Sequence, residues 1–190
     1  MAVAQQGAQP TQPLSICGLQ LECHPTERDW NLRHADALVR ANPGHDLYVM
    51  PELSSCGYDE LVFTRLEDFA EDVRAGPTTT FMAALAREVQ AHICYGLVRR
   101  AEGAGGRPYR ICQAVVGPDG SLVAQYDKMH LCHYGECAEK DFFSRGELPC
   151  TFEVCGWTLG LLICCAHRFA ALAAPLSHSV FAAFTTPWPH

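Results

Sequence analysis

LYVMPELSSCGY, residues 47–58, sets a proline and a carboxylate directly on the end of an apolar run. Leu47–Met50 reads as a short strand, and Pro51-Glu52 follows at once, with a tight loop, Ser54–Tyr58, behind it. Strand ends are where layered α/β folds collect functional groups, so Glu52 is the first candidate. Upstream, apolar residues at Leu14, Ile16, Leu19 and Leu21 predict a strand over Leu14–Leu21, with a bulge or slip near Gly18. Thr26-x-x-Asp29 resembles a capping box, with Asp in place of the usual Glu or Gln. It introduces a helix that carries Leu32, Ala35, Leu38 and Val39 on one face and stops at Asn42-Pro43-Gly44.

Downstream, Phe81, Leu85 and Val89 at helical spacing predict a second helix over about Thr78–Gln90. His92–Val98 and Tyr109–Val116 read as strands separated by the Gly-rich loop Ala101–Arg107. Gly117-Pro118-Asp119-Gly120 has hairpin-turn chemistry and leads to a strand at Ser121–Tyr126, with Lys128 just beyond it. Residues 129–147 read as a long irregular segment, the kind that is usually functional. Phe152–Val154, a turn at Cys155-Gly156 and Trp157–Cys164 predict a strand pair. A short helix near Arg168–Ala174 and a last strand at Val180–Thr185 complete the order. This mixture of helices and hairpins fits a layered α/β sandwich better than an all-parallel doubly wound sheet.

The chain has 190 residues, 48% hydrophobic and 18% charged, enough for one domain with a substantial core. Residues 1–13, polar with Gln and Pro, are expected to be disordered; 14–190 are expected to form the domain. The formal net charge of −7 and a pI near 5.7 argue against a nucleic-acid partner. No apolar run is long enough for a membrane span, and no signal peptide opens the chain. Eleven cysteines in a chain without that signal, several of them inside apolar runs such as Cys17, Cys94 and Cys112, predict reduced core thiols in a cytoplasmic protein. Their spacing with the nine histidines fits no zinc motif, so no zinc site is expected.

Glu52, Lys128 and Cys164 each lie at or just past the C-terminal end of a predicted strand, so all three converge if those strands are neighbours. Their chemistry is complementary. A thiol needs a base or cation to become a thiolate, and a tetrahedral intermediate needs a fixed positive donor. Only 2 of the 14 basic residues are lysines, Lys128 and Lys140, which hints at a need for a compact ammonium at Lys128. Singly, each residue has an ordinary reading: a solvated loop Glu, a surface Lys, and two adjacent core cysteines, Cys164 and Cys165.

Together, PELSSCGY (51–58), YDKMHLCHYGE (126–136) and GLLICCAHRF (160–169) resemble the nitrilase superfamily of carbon–nitrogen hydrolases. That family places Pro-Glu after a strand with Gly-Tyr a few residues on, then Lys-x-His-Leu, then Ile-Cys-Tyr-Asp-x-Arg-Phe. The order and the spacings of 76 and 36 residues match, and the likeness covers 14–169. It implies an α-β-β-α layered sandwich, incomplete at the C-terminus, since about the last third of the usual domain lies beyond His190. It also implies roles: Glu52 as general base and later acid, Lys128 as oxyanion stabiliser, Cys164 as nucleophile. Glu136 is the matching second glutamate, with Glu139 and Glu147 nearby in the same segment. Cys165-Ala166 stands where the family has Tyr-Asp, and Ala170-Ala171 where it has Pro-Glu.

The resemblance implies hydrolysis of a small linear amide through a cysteine thioester, with release of ammonia and no cofactor. Nitrile or N-carbamoyl amide hydrolysis would use the same residues. A homodimer or higher homo-oligomer is expected by the same likeness. Two other classes stay open: a degenerate or truncated family member without activity, and a cysteine-rich metal or redox protein.

Overall fold

A computed structural model describes residues 12–101, 107–134, 137–164 and 180–184. Its strands alternate their side chains between two cores, and this alternation defines the layers. Strand β1 (Ile16–Gly18), β2 (Leu47–Val49), β3 (His92–Arg100), β4 (Tyr109–Val116) and β5 (Leu122–Asp127) form one sheet in that spatial order. β1–β2–β3 are parallel and β3–β4–β5 antiparallel. The parallel steps are crossed by helices: α1 (Arg28–Ala41) lies between β1 and β2, and α2 (Glu60–Phe63), α3 (Leu66–Phe69) and α4 (Pro77–Val89) lie between β2 and β3.

On one face of this sheet, Ile93, Tyr95 and Leu97 of β3 and Cys112, Ala114 and Val116 of β4 pack with Leu32, Ala35 and Val39 of α1 and Met82, Leu85 and Ala86 of α4. On the other face, Cys94 and Val98 of β3 and Ile111 and Val115 of β4 meet a second sheet. That sheet runs β10 (Val180–Phe184), β9 (Trp157–Ile163), β8 (Thr151–Val154), and it inserts Phe152, Val154, Leu159, Leu161 and Ile163. A period of two thus yields helix, sheet and sheet layers. The helix expected near Arg168–Ala174 lies outside the described residues, as do residues 1–11.

Local chemistry explains most boundaries. Pro77 opens α4, where its missing N–H costs nothing, and buried Glu71 accepts from the backbone and hydroxyl of Thr78 at 2.9 and 2.6 Å. Cys155 and Gly156, both at positive φ, make the tight β8–β9 hairpin. Gly120 closes the β4–β5 turn on the carbonyl of Gly117, with Asp119 accepting from Ser121.

Three local expectations are corrected. Thr26 and Asp29 do not form a capping box: Thr26 has φ 70°, and α1 starts from Glu27 without a side-chain cap. Buried Asn31 ties the helix to its entry instead, bonding both backbone groups of His24 at 2.8 and 2.9 Å. The first strand covers Ile16–Gly18 only; Leu19 and Leu21 continue into the core as an extended segment. The segment 129–147 is not wholly irregular, because it contains a short hairpin, β6 (His133–Tyr134) and β7 (Cys137–Ala138), and the turn of helix α5 (Glu139–Phe142).

Candidate active site

Glu52 and Lys128 meet between the two sheets. Glu52 follows β2 on a turn closed by Ser54 N–H to Pro51 O and Gly57 N–H to Leu53 O, at 3.2 and 2.8 Å. Leu53 occupies φ 51°, a conformation that costs a non-glycine residue of order 1 kcal/mol and persists only where the surroundings enforce it. Lys128 follows β5 and is fixed by its own backbone: its N–H donates to Ile111 O and its carbonyl accepts from Gly146 N–H, both at 2.8 Å. The preceding Asp127 receives both Nε and Nη2 of Arg99.

The Lys128 ammonium touches two carboxylates, Glu52 Oε1 and Glu139 Oε1, each at 2.7 Å. All three side chains are fully buried. Glu139 opens α5 and is saturated: Oε1 also accepts from Tyr58 Oη at 2.6 Å, and Oε2 accepts from Cys132 N–H at 2.7 Å. Glu52 differs. Its Oε2 is buried with no hydrogen-bond partner among the described residues.

Burial raises the Glu52 carboxyl to about 7, with Lys128 pulling it down and the charge of Glu139 pushing it up. Burial alone would lower Lys128, but Glu52 and Glu139 override it and hold the ammonium well above its ordinary value. Glu52 is thus poised to exchange a proton near neutrality while Lys128 stays charged. Taking each such ion out of water costs several kcal/mol, and a well-packed apolar substitute is often no less stable. Two carboxylates and an ammonium buried together are therefore poorly explained by stability.

Cys164 directly follows β9, at φ 50° and partly buried. It packs against the inter-sheet core that Tyr58, Met129 and Leu131 also border. Glu52, Lys128 and Cys164 thus come from strand ends in both sheets around one core, with Glu52 and Lys128 in direct contact. Glu136 lies outside the described residues. Glu139 is the residue that sequence reasoning did not select. One signal pointed to it: Phe142 and Phe143, three and four residues on, put Glu139 on the apolar face of a helical turn. Among the described residues no group of three or more His, Cys, Asp or Glu is arranged to hold a metal. No helix among them is long and apolar enough to cross a membrane.

Residues 13–179 match the carbon-nitrogen hydrolase family. A nitrilase of Pyrococcus abyssi is 30% identical over 167 residues, covering 86% of this chain and 60% of its own length. An omega-amidase of Mus musculus is 32% identical over 162 residues, 82% of this chain and 56% of its own. The chain therefore spans a little over half the length of these relatives. In shape it resembles a CN-hydrolase superfamily protein of Xanthomonas campestris, with a TM-score of 0.75 at 24% identity over 93% of this chain and 65% of that one. An amidase from Nesterenkonia sp. gives 0.73 at 24% identity over 90% and 64%. These two likenesses bear on the fold, whose mixed sheet and flanking helices they share. With the motifs, the layered fold and a family match over residues 13–179, the chain belongs to the carbon-nitrogen hydrolase family.

Proposed function

We propose that the site hydrolyses the carbon–nitrogen bond of a small linear amide, with Cys164 as nucleophile. Glu52 takes the thiol proton through Oε2, the oxygen that Lys128 leaves open, and the thiolate attacks the amide carbon. The Lys128 ammonium has three N–H donors, of which Glu52 and Glu139 engage two; the third serves the oxyanion. As the tetrahedral adduct collapses, Glu52 returns its proton to the nitrogen, the C–N bond breaks and ammonia leaves. A thioester remains on Cys164. Glu52 then takes a proton from water, the hydroxide adds to the thioester carbon, and the C–S bond breaks to release the acid, with the proton restored to sulfur. One amide and one water give one acid and one ammonia.

The observation that carries this reading is the contrast between two carboxylates on one ammonium. Glu139 has every oxygen occupied and acts as a brace, whereas Glu52 keeps a buried oxygen that has no partner among the described residues. The omega-amidase relative supports the amide choice, and the P. abyssi nitrilase makes nitriles the second reading. The test is ammonia release from a panel of short amides and the matching nitriles, by the purified chain and by Cys164→Ala. Amide turnover abolished in the variant supports the proposal. Equal release by the variant removes Cys164 from the chemistry, and turnover confined to nitriles selects the second reading.

A further inference from the structure

The turn bearing Glu52 is locked from behind by β3 and β4, and we propose that Ser54, Gly96 and Gln113 are positioning residues that hold Glu52 against Lys128. The inference rests on the reading of Glu52 as the proton-transfer group. The parallel ladder between β2 and β3 ends at Val49 opposite Cys94, with Met50 N–H to Cys94 O at 2.9 Å as its last bond. Beyond it the chain leaves the ladder at Pro51, and Gly96, whose N–H and carbonyl would continue the pairing, is met by the turn instead. Ser54 supplies the substitute: its Oγ accepts from Gly96 N–H at 3.0 Å and donates to Gly96 O at 3.3 Å, while Ser55 N–H donates to the same carbonyl at 3.0 Å. A side chain thus stands in for the missing strand and fastens the turn to β3.

Gly96 lies between Cys94 and Val98 on the face turned toward the second sheet. A methyl group there would come within 2.3 Å of Leu53 N, 2.7 Å of Pro51 O and 2.9 Å of the Glu52 carbonyl carbon. All three are backbone atoms of the turn, so any side chain at 96 displaces it. Gln113 stands opposite Gly96 on β4 and is fully buried. Its Nε2 donates to Met50 O at 3.0 Å, whereas its Oε1 finds no partner among the described residues. An unpaired buried acceptor is unfavourable, and turning the amide over would oppose two carbonyls. The residue is thus poorly suited to a purely apolar layer, and its one strong contact reaches the carbonyl immediately before Pro51-Glu52.

The test reads the titration of Glu52 itself, from the carboxyl infrared absorption of the full chain minus that of Glu52→Gln, so no turnover is needed. Ser54→Ala removes one oxygen, and Gln113→Met keeps the volume. Each should let water reach the carboxylate and lower its midpoint by about one unit. Thr79→Ala, which breaks a buried bond on the helix side of the sheet, should leave the midpoint in place. Ser54→Ala should also cut kcat for the amide about tenfold while leaving KM within about twofold. Gly96→Ala should shift the midpoint most, but the two milder variants are the deciding ones. If both fold and keep the wild-type midpoint, the positioning proposal is overturned, even with Glu52→Gln inactive. If Glu52→Gln keeps full turnover, the proton-transfer reading fails by itself, because the midpoints still decide whether the turn is held.

Discussion

Glu139 and Glu52 share the Lys128 ammonium, each at 2.7 Å, but among the described residues only Glu139 has partners on both oxygens. The two carboxylates should therefore fail differently. Glu52→Gln keeps the shape of the side chain but cannot take a proton, so kcat should drop about 10²–10⁴-fold. Glu139→Gln should leave Glu52 able to take a proton, at a somewhat lower midpoint without the Glu139 charge, but loosen Lys128, raising KM and lowering kcat together. Glu136→Gln is the control in the same segment and should be milder than Glu139→Gln. Steady-state kinetics on one amide separates the three.

Removing the cation should be worse for stability than removing either acid. Lys128→Met leaves Glu52 and Glu139 buried without their counter-charge, and breaking a buried pair in this way costs about 3–5 kcal/mol. Urea unfolding at neutral pH measures it. The loss should shrink in the double variant Lys128→Met with Glu52→Gln, because the second change removes a stranded carboxylate.

The raised Glu52 carboxyl has a signed consequence for stability. Its folded value is about 7 against an ordinary 4.5, so between those values the folded protein holds the extra proton. Stability then falls as pH rises from about 4.5 to about 7, and above that the cost of the buried charge is fully present. Other carboxylates add slopes of their own, so the informative quantity is wild type minus Glu52→Gln. That difference should decline across this window and be flat above it, as read from denaturant midpoints at each pH. In kinetics the same ionisation appears as a rise in kcat/KM through about pH 7 as Glu52 becomes the base.

Tyr58 links the Glu52 loop to the brace by donating to Glu139 Oε1 at 2.6 Å. Hydrogen bonds to charged groups are worth about 1.5–3 kcal/mol. Tyr58→Phe should lose an amount in that range, since the ring keeps its edge contact with Phe63. Thermal or denaturant unfolding gives the value.

What the sequence disclosed and what it hid follow from the range of each interaction. Strand alternation in His92–Val98 and Tyr109–Val116, and turn chemistry at Gly117–Gly120 and Cys155–Gly156, are local, and the strands and hairpins formed there. Helices α2 and α3 are four residues each, too short to show a period. The Thr26–Asp29 pattern was overruled by Asn31, whose contacts with His24 and Ser55 depend on the folded loop. Lys128 shows the same limit at the site. A lysine after a strand reads the same whether solvated or buried, and only the assembled sheets bring Glu52, 76 residues away, and Glu139 onto its ammonium.

The central claim is that an acyl group passes through the sulfur of Cys164. Acrylamide, a general thiol alkylator, provides the control label. The decisive measurement is intact and peptide mass spectrometry of the chain quenched during turnover of a short amide. One acyl group is expected, on the peptide containing Cys164, absent in Cys164→Ala and blocked by prior acrylamide. An acyl group that maps to another residue, or persists at wild-type level in Cys164→Ala, would contradict that claim.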